Sequence, residues 1–333
     1  MRCVAVGLIL AAALSSSALA LPTGFSFQTL DDPNAASGTT VAFGINDAGQ
    51  ATGWYVDGSN IIHAFVYDAG AWTTIDKNPL NSSGGDTQGF GINNSGQIVG
   101  SLYDNLNLGH NAFFDGTSWS ELGDDPSGAK NSTSYTGINN SRVMSGIYRS
   151  PSGFQSFLYD GSTYKTLNNP YTSVQNTVAQ GLNNAGAVAG YYFGGLPTPQ
   201  GNFISQHGFI FDGTTFTGFD APDAGRTEAW DINDAGLVVG TYFELIGGQQ
   251  HWFLYDGTNF SNLNLPWDPS LVLITGINDA GQIVGRYGDG SGEHGFIGTP
   301  TMSVVPEPST ITLLTIALAL IMWRLGIASW RRR

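Results

Sequence analysis

The side chains in this chain that could do chemistry are few: five histidines, 26 carboxylates and twelve basic residues among 333. All five histidines, His63, His110, His207, His251 and His294, stand at one position of a sequence repeat, and Gln155 fills the sixth. Imidazole is a common metal ligand, but ligands must converge to about 2 Å from a single ion. Equivalent positions in separate repeat units stand apart. Glutamine shares with neutral histidine a donor and an acceptor, so the exchange at Gln155 points to hydrogen bonding within the fold. No metal and no other cofactor is expected, except that the paired carboxylates Asp31-Asp32 and Asp124-Asp125 could hold calcium at a corner. No Asp-x-Asp-x-Asp-Gly loop supports even that.

The remaining acids and tryptophans carry more information where the repeat breaks. Asp115, Asp160, Asp212 and Asp256 each precede glycine and read as turn formers. Asp231, by contrast, replaces a glycine found at Gly44, Gly91, Gly137, Gly181 and Gly276. Arg226, Glu228 and Trp230 precede it, and Glu244 and Trp252 follow. Residues that match a repeat serve the scaffold, so functional ones belong where it departs. Glu228, Trp230, Asp231, Glu244 and Trp252 are therefore the candidate binding residues, with indoles to stack on a sugar ring and carboxylates to take its hydroxyls. A fourth-unit insertion, Phe193 to Gln206, should lie on the same face. No Gly-x-Ser-x-Gly, His-Glu-x-x-His or Gly-x-x-x-x-Gly-Lys motif occurs, so no catalytic residue is assigned. Glu228, Asp231 and Glu244 would be the acids of a polysaccharide hydrolase or lyase, the alternative reading.

These residues must be positioned by the repeat. Asn46, Asn93, Asn139, Asn183, Asn233 and Asn278 recur at intervals of 44 to 50 residues, the length of a four-stranded propeller blade. Each unit reads as a strand ending in Gly-Ile-Asn, a tight turn and a second strand. A third strand then runs from the His to an Asp-Gly turn, and a fourth from an aromatic to a proline. Phe27 to Pro33 carries the fourth-strand pattern before any first strand, and the last unit stops after Ile297 without one. A split unit closes a ring and removes both open edges. The sequence thus predicts an all-β fold, a six-bladed β-propeller of four-stranded blades over residues 21–300, closed by its N-terminal strand. A pair of β-sandwiches is the alternative.

Both ends read as targeting segments. Arg2, the apolar run Val4 to Leu14 and Ala18-Leu19-Ala20 form a signal peptide over residues 1–20. Cys3 is the sole cysteine and leaves with it, so the mature chain has no thiol for a disulfide or nucleophile. Residues 301–308 form a linker, and 309–333 an apolar span ending in Arg331-Arg332-Arg333, which orients that end inward. Setting aside Arg2, Arg324 and those three arginines leaves seven basic residues against 26 acids, a net charge of −19. Nucleic acid and anionic membranes are poor partners for such a surface.

Two resemblances add to this reading. His63-Ala64-Phe65-Val66-Tyr67-Asp68, preceded by Gly44-Ile45-Asn46-Asp47-Ala48-Gly49-Gln50, resembles the HAF repeat of extracellular bacterial proteins, over nearly all of the mature chain. It implies export and repetition and no established reaction. Val305-Pro306-Glu307-Pro308-Ser309-Thr310, with the apolar segment and basic end after it, resembles a PEP-CTERM sorting signal. That resemblance implies processing by an exosortase at Pro306, Glu307 and Pro308 while the tail transiently crosses the inner membrane. It also implies release to the cell surface or an exopolysaccharide matrix; an unprocessed tail would be a permanent anchor. The expected function is a non-enzymatic surface module that binds polysaccharide or a surface protein, or is purely architectural.

Overall fold

Short strands separated by turns account for nearly all regular structure. In the computed structural model the described residues are 21–301, except 23, 77, 82–85, 130–131, 152, 172–175 and 198–202. The signal peptide, the Pro-Glu-Pro motif and the tail lie outside them. Among the described residues no helix is long and apolar enough to cross a membrane.

The strands follow the repeat. β1 (Phe25–Leu30) comes first. The first unit is β2 (Val41–Ile45), β3 (Ala51–Val56), β4 (Ile62–Asp68) and β5 (Ala71–Thr74), and the second is β6 (Thr87–Ile92), β7 (Ile98–Tyr103), β8 (Gly109–Phe114) and β9 (Trp119–Glu121). The third is β10 (Thr133–Ile138), β11 (Met144–Ser150), β12 (Gly153–Tyr159) and β13 (Tyr164–Leu167). The fourth is β14 (Thr177–Leu182), β15 (Val188–Pro197), β16 (Phe203–Phe211) and β17 (Phe216–Phe219). The fifth is β18 (Ala224–Ile232), β19 (Val238–Glu244), β20 (Gln250–Tyr255) and β21 (Phe260–Leu263). The last comprises β22 (Val272–Ile277), β23 (Ile283–Asp289) and β24 (Gly292–Pro300). Units one to three are separate four-stranded antiparallel sheets, and the last unit becomes one when β1 pairs with β24 from Phe25↔Pro300 to Leu30↔Gly295. Units four and five are joined into one eight-stranded sheet by a single parallel bridge, Gln206↔Arg226.

The repeated asparagine explains itself. Asn46 Oδ1 accepts the backbone N–H groups of Ala48 and Gln50, forming its own turn, in which Gly49 adopts φ +80°. Its Nδ2 donates to the carbonyl of Asn93 at 3.0 Å, one unit away. The same bond runs from Asn93 to Asn139, Asn139 to Asn183, Asn183 to Asn233 and Asn233 to Asn278. Asn278 then donates to the carbonyl of Asn46 at 2.9 Å. Aspartate could not play both parts, because it lacks the donor.

The core lies at the seams between successive units. Phe65, Phe157, Phe209, Phe253 and Phe296, one position on each of five third strands, are fully buried. Ile45, Tyr55 and Phe65 of the first unit pack with Val284 and Ile297 of the last. Second-strand glycines let first strands approach: a Cβ on Gly53 would lie 1.9 Å from the carbonyl oxygen of Val41.

Candidate functional site

The five histidines sit in five separate units, each clamped by carboxylates of its own locality. His63 Nδ1 is 2.7 Å from Asp76 at the end of the fourth strand, and Nε2 is 3.4 Å from Asp57 in the turn after the second. His110 bridges Glu121 and Asp104 in the same way, and His294 bridges Asp31 and Asp289. His207 contacts Asp220, and His251 contacts Glu244. Four of the rings stack on the facing tyrosine of the second strand: Tyr55, Tyr192, Tyr242 and Tyr287. The Glu121 hydrogen bond holds the His110 pKa above its ordinary value. At His294 burial opposes the charge, but Asp31 and Asp289 raise the pKa on balance. Asp31 belongs to the His294 clamp, while Asp32 has a turn duty, its Oδ1 accepting from Asn34 N; Asp125 Oδ1 likewise accepts from Ser127 N. Among the described residues no group of three or more His, Cys, Asp or Glu is arranged to hold a metal ion.

The fold distributes the five predicted binding residues over four places. Asp231 and Trp230 belong to an axial cavity of about 80 Å³, lined from successive units by Phe43, Phe90, Thr136, Gln180, Trp230 and Thr275. A register irregularity in each first strand re-aims these side chains. Asp231 Oδ1 accepts from its neighbour Ile232 N, and Oδ2 from Ile277 N in the next unit. It occupies the space that a Cβ on Gly181 would need, 2.0 Å from Oδ1. Asp231 retains some surface only because it lines the cavity; packed about with protein, its carboxyl is pushed up to about 7 by burial, with Asp47 adding to the rise. Below it, Asp47, Asn94, Asn140, Asn184, Asp234 and Asp279 form a second relay, each side chain accepting from the backbone N–H of the preceding unit.

Trp252 differs from the expectation of a stacking surface. It is only 2% exposed and packs with Leu254, Ile274 and Phe296 in the seam between the fifth and last units. Its repeat position otherwise holds Ala64, Asn111, Ser156, Gly208 and Gly295. The indole fills room those units leave small, so it serves packing. Glu244 pairs with His251 at 2.9 Å, as the acid of a histidine clamp.

Glu228 lies at the joint of the fourth and fifth units, beside Arg226, which bridges to Gln206 at the end of the insertion. Directly opposed residues on neighbouring strands share a sheet face. The register places Phe193, Gln206, Arg226, Phe243 and Gln250 in one such row across β15, β16, β18, β19 and β20. Arg226 lies over the ring of Phe243, 3.7 Å from its centroid, with Nε 3.2 Å from Glu228 Oε1. That N–H is not aimed at the carboxylate, so the contact is ionic and makes no hydrogen bond. Burial raises the Glu228 pKa, and Arg226 partly opposes the rise. Burial pushes Tyr191 up to about 12, and the charge of Glu228 adds to this. Tyr191 also packs edge-on against Phe193, with centroids 5.8 Å apart.

This joint collects unsatisfied polar atoms. Among the described residues, Gln206 Oε1, Arg226 Nε and Thr241 Oγ1 are buried there without a hydrogen-bond partner. Buried polar groups in folded proteins are nearly always paired, and exceptions call for an explanation. Sequence reasoning singled out Glu228 and the ends of the insertion but passed over Arg226, Tyr191, Phe243 and Thr241. The available signal was the scarcity of arginine. A larger concavity of about 670 Å³ lies between the first and second units, bordered by Gln50, Thr73, Asp76, Phe114 and Thr117.

No family model and no curated protein sequence matches the chain. Solved structures do. The β-propeller domain of the Trilobed protease from Pyrococcus furiosus, described as having an open velcro topology, superposes with a TM-score of 0.50 at 13% identity, over 80% of this chain and 82% of that one. A lectin from Aleuria aurantia matches with a TM-score of 0.46 at 12% identity, over 81% of this chain and 98% of that one. TolB from Acinetobacter baumannii matches with 0.47 at 14%, over 67% and 54%. At the identity of the first match the likeness is one of fold: an all-β chain of four-stranded sheets with the β-propeller architecture.

Proposed function

We propose that this chain is an exported surface or matrix protein, a six-bladed propeller whose ring is closed by β1, and that it binds a saccharide at the joint of its fourth and fifth units. Three observations support closure: the β1–β24 register, the asparagine relay that returns to Asn46, and the packing of the last unit on the first. The observation that carries the binding reading is the coincidence, at one joint, of the break in the repeat with buried polar atoms lacking partners. Half-buried Phe193, the stacked Arg226 and the acceptors of Glu228 and Gln206 are the side-chain types that take a pyranose by face and by hydroxyl.

The reading is non-enzymatic. Glu228 and Asp231 both have raised carboxyl pKa values, the single feature that favours a hydrolase. Asp231, however, spends both oxygens on backbone N–H groups of two units, the geometry of a bracket. Saturable binding of a polysaccharide by the purified chain without release of new reducing or unsaturated ends is the expected result. Turnover that is lost in Glu228→Gln would establish the hydrolase or lyase instead.

The targeting readings at both ends belong to the same proposal. Export would follow removal of residues 1–20, and an exosortase would process the chain near Pro306-Glu307-Pro308. Mass spectrometry of the protein recovered from the cell surface should find a C-terminus near that motif. Mature surface protein still ending at Arg333 would identify a permanent anchor.

A further inference from the structure

We infer that the joint site is selective for an acidic saccharide, with Arg226 holding the carboxylate of a uronate residue; this rests on the binding reading above. The geometry of the guanidinium is the starting point. One of its faces lies on Phe243, at 3.7 Å, and its Nε edge lies beside Glu228 Oε1, at 3.2 Å. One face is thus covered by the protein, and the Nε edge is held beside a carboxylate in an ion contact without a hydrogen bond. The end bearing the two terminal nitrogens is left over, and among the described residues neither has a hydrogen-bond partner.

That end is a planar fork of parallel N–H donors, the shape that pairs bidentately with a carboxylate. Arg226 is 38% exposed while Glu228 is held at 10%, so the cation reaches solvent and its counter-charge lies beneath it. Stacking and the ion contact restrict the side chain before any ligand arrives, which lowers the entropic cost of binding. Two other arginines are already engaged elsewhere in the fold, Arg286 by Glu293 and Arg142 by Gln97.

The rest of the joint suits a sugar better than an acidic peptide or a free anion. Gln206 Oε1 and Thr241 Oγ1 are buried acceptors without donors, and Gln206 stands directly across from Arg226 in the register. Rotation of the Gln206 side chain would bring its Oε1 to a hydroxyl group adjacent to a ring carboxylate, which supplies a donor of that kind. Phe193, half-buried in the same row and braced by Tyr191, offers an apolar ring face. In a chain with a net charge of −14, a single outward-facing fork would make binding to a polyanion local and modest in strength.

The test uses the purified full chain and three probes: a defined oligouronate, the same oligosaccharide with its carboxyl groups reduced to alcohols, and an oligoglutamate of equal charge. Calorimetry should show the oligouronate binding at least about tenfold tighter than the reduced form, as expected for a charge-assisted bidentate pair. Arg226→Gln should erase that preference in a variant whose circular dichroism shows it still folded, and Arg226→Lys should restore it only in part. Equal binding of the acidic and reduced sugars, both weakened by Phe193→Ala, would overturn the inference while leaving a saccharide site at the joint. Preference for the oligoglutamate would overturn it in favour of an acidic peptide. No binding of any sugar probe would sink the saccharide reading itself.

Discussion

Replacing Asp231 by asparagine should make the protein more stable at neutral pH, and increasingly so as pH rises. Asp231 is packed among the first strands and faces the axial cavity, with Asp47 nearby; Asp234 and Asp279 complete the acids of that mouth. Burial pushes its pKa up to about 7 from 3.8. Between those two values the folded chain binds more protons than the unfolded chain, so stability is fully present below about pH 4 and is lost as pH rises through 7. Three pKa units correspond to about 4 kcal/mol at most, and roughly two thirds of that falls above pH 5. Asparagine cannot ionise, although its amide accepts only one of the two N–H groups, from Ile232 and Ile277, that the carboxylate accepts, a loss of about 1 kcal/mol. Urea unfolding of both proteins at pH 5, 6, 7 and 8 measures the difference directly. The stability of Asp231→Asn relative to the parent should grow by about 2–3 kcal/mol over that range. A difference that stays flat with pH would show that the carboxyl titrates normally, and that the cavity hydrates it as bulk water would.

The His294 clamp should act in the same direction at a different place. Because Asp31 and Asp289 raise its pKa, its contribution is fully present below about pH 6.5 and is lost as pH rises through the folded value, so the melting temperatures of His294→Gln and the parent should draw together as pH rises from about 6.5. Trp252→Ala should destabilise by about 3–5 kcal/mol in denaturant titrations, as for other buried indoles, and should alter ligand binding only through unfolding. Deleting residues 21–33 removes β1, the Phe27 contacts with Trp267 and Phe296, and the Asp31 end of the His294 clamp. Calorimetry should then show a broad, lowered transition and size-exclusion chromatography should show association through the bared edge of β24; a sharp, unshifted transition would refute the closure proposal.

What the sequence determined by itself was everything that repeats. A turn that needs positive φ must carry glycine or asparagine at a set place, and a strand with one covered face must alternate, so six copies of one pattern reinforce each other. The Asn46 series, the Asp-Gly turns and the orphan fourth-strand pattern of Phe27 were legible for that reason. The histidine clamps were legible in part: the glutamine at position 155 marked a hydrogen-bonding role, but partners such as Asp76 or Asp31 lie 13 and 263 residues away. Only the tertiary structure decided which departures from the repeat share a place. Asp231 and Glu228 are three residues apart, yet the β-bulge at Trp230 sends Asp231 to the axis and leaves Glu228 beneath Arg226. Trp252, in the same departing unit, fills the seam toward the last unit at a position where the other units carry smaller side chains. The row from Phe193 to Phe243 exists only through the parallel Gln206–Arg226 bridge. A repeat specifies its own geometry locally, whereas the meeting of two units at one irregular joint is a long-range contact that no local pattern records.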